Sequence, residues 1–252
     1  MKTFKKAPPV KENMIYGIRS VMEALDAGQH LEKVFLQKGL KGELMKECQS
    51  MIRESDTPVS SVPIEKLNRF TRKNHQGVVA FISPVKYYDL HNLLSQDFEN
   101  GKVPFFLLLD RVTDVRNFGA IARSAESFGV TGIVIPAKNA AQINADAVKA
   151  SAGALTKIPV CRVNDLDKSA QYLKLSGCAL VACTEKGSND MSDAPLSGPI
   201  ALIMGSEEDG ISASLIKQAD YDISIPMKGE IASLNVSAAA SIFMYEVMMT
   251  RN

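Results

Sequence analysis

Near the C-terminus, a short apolar alternation at Ile223 and Ile225 is stopped by Pro226, turned at Gly229 and followed by a helical pattern at Val236, Ala240, Phe243 and Val247. Ser233 and Asn235 are both suited to cap that helix, and its free first-turn amides can hold an anion or a polar ligand atom. An ordinary strand-to-helix turn has the same pattern, so both readings stay open at this point. A second stretch, Gly205-Ser206-Glu207-Glu208-Asp209-Gly210, has the glycine spacing of a phosphate loop but continues as Ile211-Ser212. Its three carboxylates repel phosphate, which points to a neutral or cationic ligand. A third, residues 110–117, follows an apolar run and has no glycine until Gly119, which counts against a dinucleotide-binding fold and against a Rossmann-type methyltransferase. Apart from these lies a basic loop with Arg69, Arg72, Lys73 and His75, a candidate RNA contact; the alternative is a solvated loop in which His75 bonds locally, the usual state of a lone histidine.

These stretches need elements to position them. From Phe105 onward short apolar runs alternate with helical patterns, as in a parallel α/β sheet covered on both faces, whose ligands sit beyond the C-terminal ends of the strands. The three stretches fall at such ends. The segment before it reads as a smaller α/β domain, with helices after Ile18 and around Leu44 to Ile52 and strands at Val34 to Leu36, Val59 to Val62 and Val78 to Ile82. The expected organisation is a disordered basic arm over 1–12, a substrate-binding domain over 13–83, a linker over 84–103 with one helical turn near Leu90, and a second domain over 104–252.

Composition limits the function classes. No apolar run is long enough to span a membrane and the N-terminus lacks the apolar core of a signal peptide, so a cytoplasmic protein is expected. The four cysteines include no C-x-x-C pair and are expected to be buried, inert thiols, with no metal bound. The formal net charge of +1 conceals an asymmetry: residues 1–83 carry 14 Lys and Arg against 9 Asp and Glu, and residues 84–252 carry 15 against 19. The front part suggests a nucleic-acid-facing module, and a solvated charge imbalance is the alternative reading of the same counts.

Asn117-Phe118-Gly119-Ala120-Ile121-Ala122-Arg123-Ser124-Ala125, then Met204-Gly205-Ser206-Glu207 with Gly210-Ile211-Ser212, then Ile225-Pro226-Met227 with Ser233-Leu234-Asn235-Val236-Ser237, resemble the three signature motifs of SpoU/TrmH RNA ribose 2′-O-methyltransferases, members of the SPOUT superfamily. Ile15-Tyr16-Gly17 and His75-Gln76-Gly77 are similar to marks of the small RNA-binding domain in the branch that methylates guanosine of 23S rRNA, as are Gln142-Ile143-Asn144 and Ser151-Ala152-Gly153-Ala154. Glu208 and Asp209 make the second motif more acidic than in many relatives.

The resemblance implies a C-terminal domain tied in a trefoil knot, an N-terminal domain like ribosomal protein L30e, and a homodimer formed through the C-terminal domains with a shared active site. It implies S-adenosylmethionine held by Thr184, Met204, Gly205, Gly210, Ile225, Pro226, Met227 and Leu234. Arg123 is the matched residue for the transfer step, with Asn117 and Glu207 orienting it or its neighbours and Ser233 and Asn235 directed at the ribose-phosphate. A guanidinium stays protonated in proteins, so the expected role of Arg123 is to hold a phosphate and stabilise the developing alkoxide. For Asn117 and Asn235 simple helix capping is the alternative. The expected substrate is a guanosine of 23S rRNA. The alternatives are ribose methylation of tRNA and, from another class, an RNA-binding ribosome-assembly factor without catalysis.

Overall fold

The computed structural model describes residues 13–251 apart from 186, 188 and 230–232, and the chain divides into two compact units at Val85 and Lys86. The expected arm over 1–12 lies outside the described residues.

The first unit contains β1 (Met14–Tyr16), α1 (Ile18–Asp26), β2 (Leu31–Gln37), α2 (Glu43–Glu54), β3 (Val59–Val62), α3 (Ile64–Phe70) and β4 (Val78–Ile82). The strands form one mixed sheet in the order β1-β4-β2-β3. Alternation splits its side chains between two cores. Val34, Leu36, Val78 and Ala80 meet Val21, Met45, Cys48 and Ile52 of α1 and α2 on one face. Phe35, Val62 and Val79 meet Leu67 of the shorter α3 on the other.

The second unit begins with α4 (Leu90–Glu99), followed by β5 (Phe105–Leu109), α5 (Val115–Ser127), β6 (Gly132–Pro136), α6 (Ala145–Ala150), β7 (Val160–Val163), α7 (Leu166–Leu175), β8 (Ala179–Cys183), β9 (Ile200–Met204), α8 (Ala213–Gln218), β10 (Tyr221–Ile223) and α9 (Val236–Arg251). Here the expected linker over 84–103 is corrected. Its central stretch is a ten-residue helix whose N-terminus is capped by Asp89 accepting from Asn92 N, and Leu90 and Leu94 are buried in the core of the second unit. The polar face of α4 masks a narrow apolar stripe, which is why the segment reads as linker in one dimension. The last strand is also shorter than expected, ending at Ile223, where the register Ile223↔Cys183 closes.

All six strands of this unit are parallel, in the order β10-β8-β9-β5-β6-β7. Leu180, Ala182, Ala201, Ile203, Phe106 and Leu108 point to the face covered by α4, α7 and α8. The alternate residues Leu107, Leu109, Val181 and Leu202 are equally buried, on the face of α5, α6 and α9. Helix α5 lies so close to α6 that a Cβ on Gly119 would stand 2.5 Å from Ala150 Cβ. From β5 the chain moves by way of α5 to β6, whereas from β9 it moves by way of α8 to β10 at the opposite edge. The neighbours β5 and β9 therefore flank the point where the winding reverses, and the loops that leave them open a crevice.

Candidate functional site

A cavity of about 510 Å³ opens at the C-terminal ends of β8, β9 and β10. Thr184, Met204, Gly205, Gly210, Ile225, Met227 and Leu234 line it, together with the site candidates Glu207, Ser233 and Asn235. Pro226 does not line it and is exposed, so its expected direct contact is not seen in the cavity wall. Met204 and Ile211 are buried, and Leu234 and Phe243 add apolar wall. Glu185, Glu207, Glu208 and Asp209 supply acidic groups. A cavity of this size with apolar walls and carboxylates suits a small cationic ligand and disfavours a phosphate.

The loop at 205–210 is a closed turn in which Ser206 N donates to Gly210 O at 3.1 Å and Gly210 N to Ser206 O at 3.0 Å. Its two ends nearly touch: a Cβ on Gly205 would overlap the carbonyl carbon of Gly210. Only glycine permits that approach.

Asn117, Glu207 and Asn235 converge on one another. Helix α5 is capped by Asp114, whose carboxylate accepts from Arg116 N and Asn117 N at 2.8 Å each. The capping alternative for Asn117 therefore fails, and its amide is free to donate from Nδ2 to Glu207 Oε1 at 2.5 Å. Asn235 takes the expected place at the start of α9 and also bonds outside its own helix. Its carbonyl starts the ladder of α9 by accepting from Ala239 N, and its Oδ1 accepts from Ser237 N at 2.9 Å. Its Nδ2 donates to Asn117 Oδ1 at 3.1 Å and to Glu207 Oε1 at 3.0 Å. The orientation of Asn235 follows from its partners, because only an oxygen can accept from the backbone N–H of Ser237. Three motifs far apart in the chain thus meet in one directional hydrogen-bond chain ending on a carboxylate.

Arg123 is not part of that chain. It stands six residues along α5 from Asn117, roughly 9 Å along the helix axis, and on a different face. Within one chain, therefore, Asn117 and Glu207 bond to each other and to Asn235 and not to Arg123. Its side chain is exposed and, among the described residues, has no hydrogen-bond partner, so the guanidinium is open to an external anion. Ser233 is exposed at the cavity wall.

The first unit divides the basic-loop candidates. Arg69, Arg72 and Lys73 are exposed. His75 is only 6 % exposed, its Nδ1 accepts from Gly77 N at 3.0 Å, and its Nε2 lies 3.0 Å from Asn68 Oδ1. Those partners require the neutral tautomer with the proton on Nε2, so His75 shapes the loop and offers nothing to solvent. The next residue, Gln76, uses its Oε1 to accept from Ile18 N at the start of α1.

Two residues at this site escape sequence reasoning. Asp110, 6 % exposed at the end of β5, accepts from Ser212 N at 2.7 Å. Arg111 donates to both oxygens of Asp110, to Asp209 Oδ2 at 2.9 Å and to Gly210 O at 3.1 Å. The hydrogen bond to Asp110 is the largest influence and raises the guanidinium pKa; burial, next in size, lowers it, and the charges of Asp110 and Asp209 raise it further, so the net direction is upward. An aspartate directly after a buried strand is the available signal for Asp110, whereas contacts 98 residues away leave none for Arg111.

The four cysteines are buried, and burial pushes the thiols of Cys48 and Cys178 up to about 11 and that of Cys161 to about 12. Among the described residues no group of three or more His, Cys, Asp or Glu is placed to hold a metal ion, and no helix is long and apolar enough to cross a membrane.

Comparison with known proteins meets this geometry at each part. The family description "RNA 2'-O ribose methyltransferase substrate binding" matches residues 14–88, and "SpoU rRNA Methylase family" matches residues 104–245, which contain the whole cavity. A protein assigned to the TrmH family of tRNA/rRNA methyltransferases in Staphylococcus saprophyticus is 34 % identical over 96 % of this chain and 98 % of its own length. The SpoU methyltransferase AviRb from Streptomyces viridochromogenes, solved with its cofactor AdoMet, is similar over 94 % of this chain and 90 % of its own, with 26 % identity and a TM-score of 0.59. An AdoMet-bound rRNA methyltransferase from Sinorhizobium meliloti is similar over 94 % of this chain and 87 % of its own, with 25 % identity and a TM-score of 0.60. The meeting of Asn117, Glu207 and Asn235 beside the cavity therefore has a family context: the chain belongs to the SpoU/TrmH family of RNA methyltransferases in the SPOUT superfamily.

Proposed function

We propose that this protein transfers a methyl group from S-adenosylmethionine to a ribose 2′-hydroxyl of RNA, with a guanosine of 23S rRNA as its target. The observation that carries the reading is the joining of Asn117, Glu207 and Asn235 beside the acidic, apolar-walled cavity. That cavity fits the cofactor's chemistry. Met204, Ile225, Met227 and Leu234 suit an adenine, and carboxylates along the wall complement a cationic molecule. S-adenosylmethionine supplies an electrophilic methyl on a sulfonium, so the protein has to align the hydroxyl and help its proton leave. Glu207 accepts two amide N–H groups on Oε1 and is held in place by them. Ser233 and Asn235 flank the ribose-phosphate in this reading.

Arg123 grips the phosphate and stabilises the developing alkoxide. Its distance from Asn117 within one chain favours a homodimer formed through the second unit, in which the guanidinium of one copy serves the cavity of the other. Ile242, Tyr245 and Met249, spaced three and four residues apart on α9, are 38 %, 47 % and 50 % exposed and supply an apolar stripe for that contact. The reading includes a trefoil knot around the cavity, an L30e-like first unit that contacts RNA through Arg69, Arg72 and Lys73, and a cytoplasmic location. The rRNA assignment draws on the S. meliloti rRNA methyltransferase, whose likeness extends over 94 % of this chain.

Incubation with labelled S-adenosylmethionine and either rRNA or tRNA, followed by mapping of 2′-O-methyl groups, tests the function. Label in 23S guanosine is the expected result; label in tRNA alone overturns the target, and RNA binding without label points to a non-catalytic assembly factor. Arg123→Lys is expected to slow transfer about 100-fold, because an ammonium cannot make the paired bonds of a guanidinium. Near-complete activity with an unchanged pH profile in that variant overturns the bidentate role. Sedimentation at several concentrations tests the dimer, which a fully active monomer contradicts.

A further inference from the structure

Arg111 is placed where the winding of the sheet reverses, between the loops that leave β5 and β9. Its backbone is left-handed, with φ at 60°, a conformation that strains a residue with a Cβ. The side chain reaches across the crevice to Asp209 and to the carbonyl of Gly210, and both residues line the cavity. Burial alone does not demand this bridge. Asp110 already accepts from Ser212 N, and the side chain of Asp209 is 69 % exposed and well hydrated without a partner. What the bridge does is hold a turn that has little else to hold it. Glu207, Glu208 and Asp209 are consecutive, exposed and mutually repelling, and the turn's own bonds run only between Ser206 and residues 209 and 210. On one side the asparagine pair pins Glu207; on the other Arg111 pins Asp209 and Gly210.

We propose that Arg111 is a positioning residue for the cofactor: it clamps the 205–210 turn in the binding conformation before the ligand arrives, and so sets cofactor affinity without touching the reacting atoms. The ligand's identity rests on the methyltransferase reading above, whereas the clamp itself does not. Without the clamp, binding has to order the turn at its own expense.

Arg111→Gly is the discriminating variant, because glycine tolerates the left-handed backbone; it removes the bridge to Asp209 and Gly210 together with the guanidinium beside the buried Asp110. Freeing about one residue's worth of backbone corresponds to roughly a tenfold rise in the dissociation constant for S-adenosylmethionine, measured by calorimetry. The clamp also requires faster amide exchange confined to residues 205–210 and a loss that falls on cofactor affinity more than on kcat at saturating cofactor; the melting temperature is expected to fall as well, because the buried Asp110 loses its counter-ion. Arg111→Lys, whose single ammonium cannot serve Asp110, Asp209 and Gly210 together, is expected to fall between the two. Unchanged affinity and exchange in Arg111→Gly overturn the proposal, as does a lower melting temperature with unchanged affinity. If wild type binds no S-adenosylmethionine while exchange at 205–210 still rises in Arg111→Gly, the clamp stands and the methyltransferase reading fails.

Discussion

The two ends of α9 fasten the same helix by opposite means. At its start, Asn235 is exposed and shares its amide between its own helix, Asn117 and the carboxylate of Glu207. At its end, the partly buried Arg251 donates to the carbonyls of Leu196, Val103, Pro104 and Gly198 and lies 5.1 Å from the centre of the Phe105 ring. Burial pulls its guanidinium pKa below the usual arginine value, and four carbonyls with an aromatic face compensate in place of a carboxylate. The lower end is close to saturated, with the donors spent on structure. At the upper end the carboxylate of Glu207 stays beside a cavity and in reach of solvent. A fold can spend hydrogen-bonding capacity on holding itself together or leave some for a ligand, and this helix does one at each end.

The largest effect is expected at the saturated end. Arg251→Ala strips donors from four carbonyls near the N-terminal ends of β5 and β9, and should cost about 3 kcal/mol. For a unit of this size that lowers the melting temperature by roughly 9 °C. Methyl transfer per folded molecule should stay at the wild-type rate. Calorimetric melting together with rates normalised to folded protein checks both, and a rate loss without a melting shift would erase the contrast between the ends.

At the other end, Asn235→Asp separates the two jobs of that side chain. The cap survives, since a carboxylate still accepts from Ser237 N and favours a helix start, so stability should move by less than about 1 kcal/mol. The donor to Asn117 and Glu207 is lost, and an oxygen faces each of them instead. Transfer is expected to fall about tenfold, discounted for exposure of the site. Adding Glu207→Gln gives the new carboxylate at position 235 an amide to accept from and should restore part of the rate; strictly additive losses in this cycle would show that the two side chains are not coupled.

These contrasts also account for what was legible in the sequence. Strands and most helices follow from local apolar periodicity, and the three loops could be placed at strand ends because parallel sheets put their loops there. Family motifs singled out Asn117, Glu207 and Asn235, but not that they bond to one another and leave Arg123 apart. That pairing spans 90 and 118 residues of chain. Where two neighbouring residues competed for one local role, pattern was not enough: Asp114 took the cap of α5 that Asn117 was also suited to, and His75 turned inward to Asn68 and Gly77. Helix α4 was hidden because Leu90 and Leu94 bury beneath a polar surface. Arg111 and Arg251 were invisible for one shared reason. Each acts through carbonyls or carboxylates brought near by tertiary structure, and a backbone carbonyl has no sequence signature.

The middle of α9 decides whether its ends communicate. There Ser241 Oγ donates to Ser237 O at 2.8 Å, so in the 2.7 Å contact with Ser124 Oγ the proton comes from Ser124 of α5. Ser241→Ala removes that acceptor, at a cost of about 1 kcal/mol for a partly buried hydroxyl. Part of this returns, because alanine is the better helix former by about 0.5 kcal/mol and the bond from Ser241 to the carbonyl of Ser237 tends to bend a helix. The net loss should be about 0.5 kcal/mol, or roughly 1 to 2 °C in melting temperature. Ser124→Ala should lose as little, and the double variant should cost less than the two single losses combined, since both remove one bond. Neither substitution touches Asn235 or Arg251, so transfer rates should not change. A tenfold rate loss in Ser241→Ala would mean that the packing of α5 against α9 carries strain from one end of the helix to the other. An unchanged rate with the small melting shift would establish the two ends as independent fastenings.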